Sequence, residues 1–275
     1  MSDAQGREPF WKGLFADGDF GWVFRMRLGD AEAFFAPRED GGALLAEKRR
    51  WLEERPELCA AVAPEGGALV ERLWERAVEW GHVPPPGQGE RDLLHLARHW
   101  EPDVLVLDQE TMSFAAACVC FPSSWSPEHA VGNSLHEVHE MVPQLNARIG
   151  EKIDSFLRQL QPGKAYCREN WGFTRSAERN YHPALHRPPL DGSVTIDELH
   201  LRVEQQLFTA IPGGVLMGIR IETCPLADLA VDPGIWHSVA EKIRTMPEDV
   251  ATYKGLRTAR EAMRREMRTI APIGG

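Results

Sequence analysis

The chain has 275 residues, 43% of them hydrophobic, and a formal charge of −10. That length is enough for a large buried core, and the lack of a basic excess argues against a nucleic-acid partner. Five scattered cysteines (Cys59, Cys118, Cys120, Cys167 and Cys224), none in CxxC spacing, argue against a disulfide framework or a cysteine zinc site.

In chain order, residues 1–20 place Phe10, Trp11 and Phe15 among Gly and Asp, an irregular arm laid on the domain. Residues 21–28 read as a short strand. Residues 44–58 and 67–80 carry apolar groups at helical spacing, with Gly-Gly pairs at 41–42 and 66–67 as breaks. A Pro- and Gly-rich loop at 83–89 precedes a short helix at 91–99. Residues 103–108 and 112–121 then form a hairpin with a buried second strand. Ser126 before Pro127 has the order of an N-cap with Pro at the first helical position. An amphipathic helix is predicted at 146–160, stopped by Gln161-Pro162-Gly163, and a strand at 166–173. A polar loop at 175–191 holds His182 and His186, which read as exposed. A hairpin of 199–207 and 215–222 turns at 211–214, and helices are expected at 235–246 and from 247 onward. This order predicts one α+β domain over 1–275. No apolar run approaches the ~20 residues of a membrane span, and the N-terminus lacks the basic-then-apolar order of a signal peptide. A cytoplasmic protein with no membrane partner is expected.

The most informative stretch is 199–222. Side chains alternate across a strand, so His200, Arg202, Glu204 and Gln206 share one face, and Arg220 and Glu222 share a face of the next strand. Such a surface is either the wall of a polar site or a solvated face whose cross-strand ion pairs contribute about 0.2–1 kcal/mol each. His136 and His139 lie three apart and share a helical face. They read as surface or capping histidines, as two metal ligands lacking a local third, or as a source of the single axial ligand that a haem requires. Asn170-Trp171 reads as a turn with a buried indole, and Tyr253-Lys254-Gly255 as a cap. No GxSxG, P-loop or GxGxxG motif is present, which removes hydrolase-elbow, nucleotide and Rossmann readings.

Four ordered segments resemble the family of the haem-dependent oxidative N-demethylase alpha subunit. They are Cys120-Phe-Pro-Ser-Ser-Trp125 running on to Leu135-His-Glu-Val-His139-Glu-Met-Val-Pro143; Arg168-Glu-Asn-Trp171; Leu201-Arg-Val-Glu-Gln-Gln206 through to Arg220; and Met246-Pro-Glu-Asp249 through to Tyr253-Lys-Gly-Leu256. The chain departs from the pattern at Gln205, where the family has Arg, and at Met141, where it has Pro. The resemblance implies a PAS-like curved antiparallel sheet holding haem b. It also implies O2-dependent oxidation of a small amine or amino-acid-like substrate, with electrons from a separate flavin and iron–sulfur reductase. Carried over by position, His139 is the axial iron ligand, with His136 as runner-up. Arg202 and Glu204 are the catalytic pair, and Asn170 and Arg220 line the pocket or contact a propionate. The alternatives are a haem-binding sensor or carrier without turnover, and a binding protein without haem.

Overall fold

In the computed structural model, described here for residues 10–15, 18–38, 42–85 and 91–272, the elements follow in chain order. They are β1 (Arg27–Leu28), α1 (Ala31–Phe35), α2 (Gly42–Glu54), α3 (Pro56–Cys59), β2 (Ala60–Val62), α4 (Gly67–Glu79) and α5 (Leu93–Ala97). Then come β3 (Asp103–Asp108), β4 (Phe114–Cys118), α6 (Pro127–Ala130), α7 (Leu135–Glu140), a π-helical turn (Asn146–Gly150) and α8 (Glu151–Arg158). The chain continues with β5 (Ala165–Thr174), β6 (His200–Ile211), β7 (Gly214–Pro225), α9 (Pro233–Thr245), α10 (Glu248–Tyr253) and α11 (Arg260–Ile270).

The strands form one antiparallel sheet in the order β1-β5-β6-β7-β3-β4-β2. The class is α+β, as the element order predicts. Its centre is the β6–β7 hairpin. Pro212 presets the first turn position and Gly213, at φ 73°, takes the left-handed second one. The register decides which side chains meet. Glu204 lies opposite Asn170 and Ile221, and Arg202 opposite Gly172 and Thr223, whereas Gln205 lies opposite Glu169 and Arg220. Arg202, Glu204 and Gln206 therefore share a face with Arg168 and Asn170. Arg220 is on the reverse face.

Two apolar clusters hold the sheet. In one, Phe173, Leu201 and Val203 pack with Trp236, Val239 and Ile243 of α9 and Met263 and Met267 of α11. In the other, β3, β4 and β7 pack with Leu73 and Trp74 of α4, Phe35 of α1 and Ile153 and Leu157 of α8. Among the described residues no helix is long and apolar enough to cross a membrane.

Several expected boundaries shift for local reasons. The helix expected at 44–58 ends at Glu54 and restarts at Pro56, because a proline has no N–H to donate and clashes inside a helix but suits its first turn. The helix expected at 146–160 begins as the π turn, and the one expected from 247 onward divides into α10 and α11. Of the strand expected at 21–28 only Arg27 and Leu28 pair, with Cys167 and Tyr166. The three-residue β2 is too short to show a period and was not expected. In the N-terminal arm Trp11 and Phe15 are buried, while 1–9 and 16–17 lie outside the described residues, as do 86–89 of the expected loop. Cys59, Cys118 and Cys120 are free and buried.

Candidate functional site

Glu204 is the hub of the polar sheet face. Its Oε1 accepts from Ser123 Oγ at 2.7 Å and Arg202 Nη1 at 2.9 Å. Its Oε2 accepts from Gln206 Nε2 at 2.9 Å and Asn170 Nδ2 at 3.3 Å. Four donors fill the lone pairs of a carboxylate. Burial raises the Glu204 pKa, but the Arg202 charge and the bonds from Ser123, Arg202 and Asn170 outweigh burial and hold it below the ordinary range. Glu204 is thus a fixed negative charge with no vacant acceptor position.

Arg202 and Glu204 are coupled, as their alternation with apolar neighbours leads one to expect of two buried charges. Arg202 Nη2 also donates to the Phe121 carbonyl at 2.6 Å. That carbonyl belongs to a loop fixed from beneath. The buried Asp103 carboxylate accepts from the backbone N–H of Cys120 at 3.0 Å and of Phe121 at 2.9 Å, and its Oδ1 lies 3.3 Å from Lys48 Nζ in a fully buried ion pair. Three residues after Phe121, Ser124 sits at φ 63°. A left-handed conformation costs a non-glycine residue about 1–2 kcal/mol, so the loop carries strain where it presents Ser123 to Glu204.

On the α7 side, Ser134 closes a capping box with Glu137 and fixes the start of the helix that carries both histidines. Their environments differ. His136 is exposed, with Nε2 3.9 Å from Glu140 Oε1. His139 is half-buried, and among the described residues its imidazole makes no hydrogen bond. Burial, then the nearby charges of Arg168 and His136, lower its pKa to about 4. His139 is therefore a neutral imidazole at physiological pH, the form that ligates a metal. Both histidines line a groove of about 300 Å³ together with Leu135, Asn146, Gly150, Glu151 and Asp154.

The edge of β5 closes the cluster. Lys254, which follows α10, donates from Nζ to the Trp171 carbonyl at 2.7 Å and lies 5.1 Å from the Trp171 ring centroid and 5.8 Å from that of Trp22. Burial, opposed by Glu204 and reinforced by Arg168, lowers its pKa to about 8, so it remains a cation at neutral pH. Burial and then the Glu204 charge raise the Tyr253 pKa, which keeps that phenol protonated. Trp22 Nε1 donates to the Pro143 carbonyl at 3.0 Å, and Gln144, left-handed at φ 64°, donates to Asp249. The first bond ties the segment after α7 to the chain before β1, and the second ties it to α10.

Four segments far apart in the chain thus meet around one carboxylate: Ser123; Arg168 and Asn170; Arg202, Glu204 and Gln206; Tyr253 and Lys254. Residues 66–264 match the family described as haem-dependent oxidative N-demethylase, alpha subunit-like. The chain belongs to that family. Every group bonded to Glu204 falls inside the matched N-demethylase alpha-subunit-like region, while Trp22 and Lys48 reach in from the segment before it.

Of the residues singled out from sequence, Glu204, Arg202 and Asn170 are brought together, and His139 lies within electrostatic reach of Arg168. Arg220 is not brought in. On the reverse face it donates to the Phe34 carbonyl at 2.8 Å, lies 3.4 Å from Glu101 and stands 5.0 Å from the Phe34 ring centroid. Glu222 is on that face as well, 2.6 Å from Arg38. The departure at Gln205 falls there too, between Glu169 and Arg220, away from the cluster. Met141 is 60% exposed just beyond α7. Gln206 is on the face read from the alternation, and Lys254, read as part of a cap, reaches the cluster as well; Ser123 and Arg168 lie inside the quoted motifs but were given no role, and Asp103 and Lys48 carry no local signal of theirs.

Proposed function

We propose that this protein is a haem-dependent oxidative enzyme of the N-demethylase type, acting on a small amine or amino-acid-like substrate. The observation that carries the reading is the neutral, unbonded His139 imidazole beside a groove and a converged polar cluster. The donor set fits a haem: one imidazole for the iron, and cationic side chains nearby for its acidic edge. The groove of about 300 Å³ is at the small end of ligand pockets. A PAS-like reading of the single antiparallel sheet accompanies this proposal.

When bound, the haem would supply the oxidation of the N-methyl group by O2, with electrons from a separate reductase. The chain supplies the setting. His139 is the proposed axial ligand, kept neutral by burial, with His136 as the solvent-facing alternative on the same helix. Glu204 acts as a fixed negative charge that favours a protonated amine through the field of the site, since its own acceptor positions are filled. Ser123, Asn170 and Gln206 hold that carboxylate in place, and Arg202 balances it. The Tyr253 hydroxyl, held protonated, is the available proton donor at the rim. Trp22 and Trp171 exclude water and offer faces that bind cations.

Absorption spectra of the protein titrated with hemin, oxidised and dithionite-reduced, test the cofactor. A Soret band that shifts on reduction and with carbon monoxide is expected, and His139→Ala should abolish it while His136→Ala leaves it. A flat spectrum throughout would overturn the reading. For the reaction, formaldehyde release from a panel of N-methylamines, with a reductase supplied, is the readout. Haem binding without release from any of them would favour a sensor or carrier.

A further inference from the structure

Charge around Glu204 does not balance. Arg168, Arg202 and Lys254 are three cations, and Glu204, the carboxylate they surround, is paired with Arg202. Among the described residues the Arg168 guanidinium has no hydrogen bond and no ion pair, although it is half-buried on the polar face opposite Gln206. Lys254 has a carbonyl and two indole faces but no carboxylate within ion-pair distance among the described residues. Glu169, next to Arg168 in sequence, points to the reverse face and pairs with Arg27. Two positive charges are therefore left over at this point, in a chain whose formal charge is −10. Glu204 acts on both at longer range, but half-buried cations without an ion-pair partner are costly to hold, and a ligand can supply the missing partner.

We propose that Arg168 and Lys254 form a seat for carboxylates, one at the guanidinium fork and one at the ammonium. Guanidinium matches a carboxylate bidentately, and an ammonium serves as a compact point charge beside it. Two sources have this chemistry: the two propionates of a haem, or the carboxylate of an amino-acid-like substrate. The first source rests on the haem reading; the seat itself does not. Filling the seat also reconciles the cluster with a cationic amine, which two uncompensated positive charges would repel.

The test compares hemin with hemin dimethyl ester, which has the same ring and iron but no propionate charge. The wild-type protein should bind hemin at least about tenfold tighter than the ester in Soret titrations, the scale of a charge-assisted contact. Arg168→Gln and Lys254→Met should each remove most of that preference while ester affinity stays unchanged, which also reports that the variants are folded. Arg168→Lys and Lys254→Arg should restore part of it. If the wild type binds both porphyrins equally, propionates are not the source, and the haem-free protein is heated with succinate or with neutral succinamide. A rise in Tm with succinate alone, lost in both variants, assigns the seat to the substrate's carboxylate. If neither comparison discriminates, the seat is refuted. If no porphyrin binds at all, the haem reading fails, and the succinate comparison judges the seat independently.

Discussion

The sheet buries an Arg–Glu pair on each face, and the two differ in what surrounds them. Arg202 and Glu204 lie two residues apart on β6, 2.9 Å from each other, and Glu204 accepts four hydrogen bonds from three separate stretches of chain. Arg220 and Glu101 come from different elements, 3.4 Å apart, and Glu101 Oε2 accepts no hydrogen bond. The reverse-face pair is enclosed by Phe34 and the aromatic rings around it, with Phe35 4.5 Å from Trp100 between centroids. The first pair has two further cations, Arg168 and Lys254, within electrostatic reach. A buried ion pair by itself does not mark a site. Surplus charge and convergence from distant segments do.

Removing one charge from each pair separates the two faces most directly. Glu204→Gln and Glu101→Gln should each cost up to about 3–5 kcal/mol in chemical denaturation, since each takes a carboxylate away from a buried arginine. Only Glu204→Gln should also change the hemin-loaded spectrum or amine oxidation. Equal effects of both on the loaded protein would dissolve the distinction between the faces.

A pH series should expose a second property of the polar face. The folded pKa of His139, about 4, lies below its ordinary value of 6.5, so only the unfolded chain takes up its proton between these values. Stability should be full above pH 6.5 and fall toward pH 4, by on the order of 2 kcal/mol from this group after solvent screening. His139→Gln should flatten that part of the profile, and an unchanged slope would show that His139 is not held neutral. A smaller effect is expected from Ser123→Ala, which removes one of the four donors to Glu204. About 1.5 kcal/mol should be lost, with a matching rise in the Glu204 pKa detectable by NMR titration.

Much of this arrangement was legible in the chain. Period-two alternation from His200 to Gln206 assigned one strand face correctly, because apolar residues at 199, 201 and 203 could belong only to the core. The same logic put Arg220 and Glu222 together but was silent about which side of the sheet they occupy. That depends on register: the two-residue turn at Pro212-Gly213 sets Gln205, not Glu204, against Arg220. The spacing of His136 and His139 placed both on one helical face, yet could not tell the half-buried ring from the exposed one, because that depends on what packs against the helix. Lys48 and Asp103 were invisible for a related reason. A lysine in a helix and an aspartate opening a strand are ordinary until the fold buries both.

The four bonds to Glu204 also differ in how much chain must be arranged before each can form. Arg202 and Gln206 are two residues away on the same strand, Asn170 is 34 away and Ser123 is 81 away. Closing the longer intervals costs chain entropy before any contact compensates it. The carboxylate should therefore acquire its donors in sequence during folding, with the strained loop around Ser123 docking late. In stopped-flow measurements Ser123→Ala should accelerate unfolding and leave the refolding rate nearly unchanged. A slowed refolding arm would show instead that the loop is in place at the transition state.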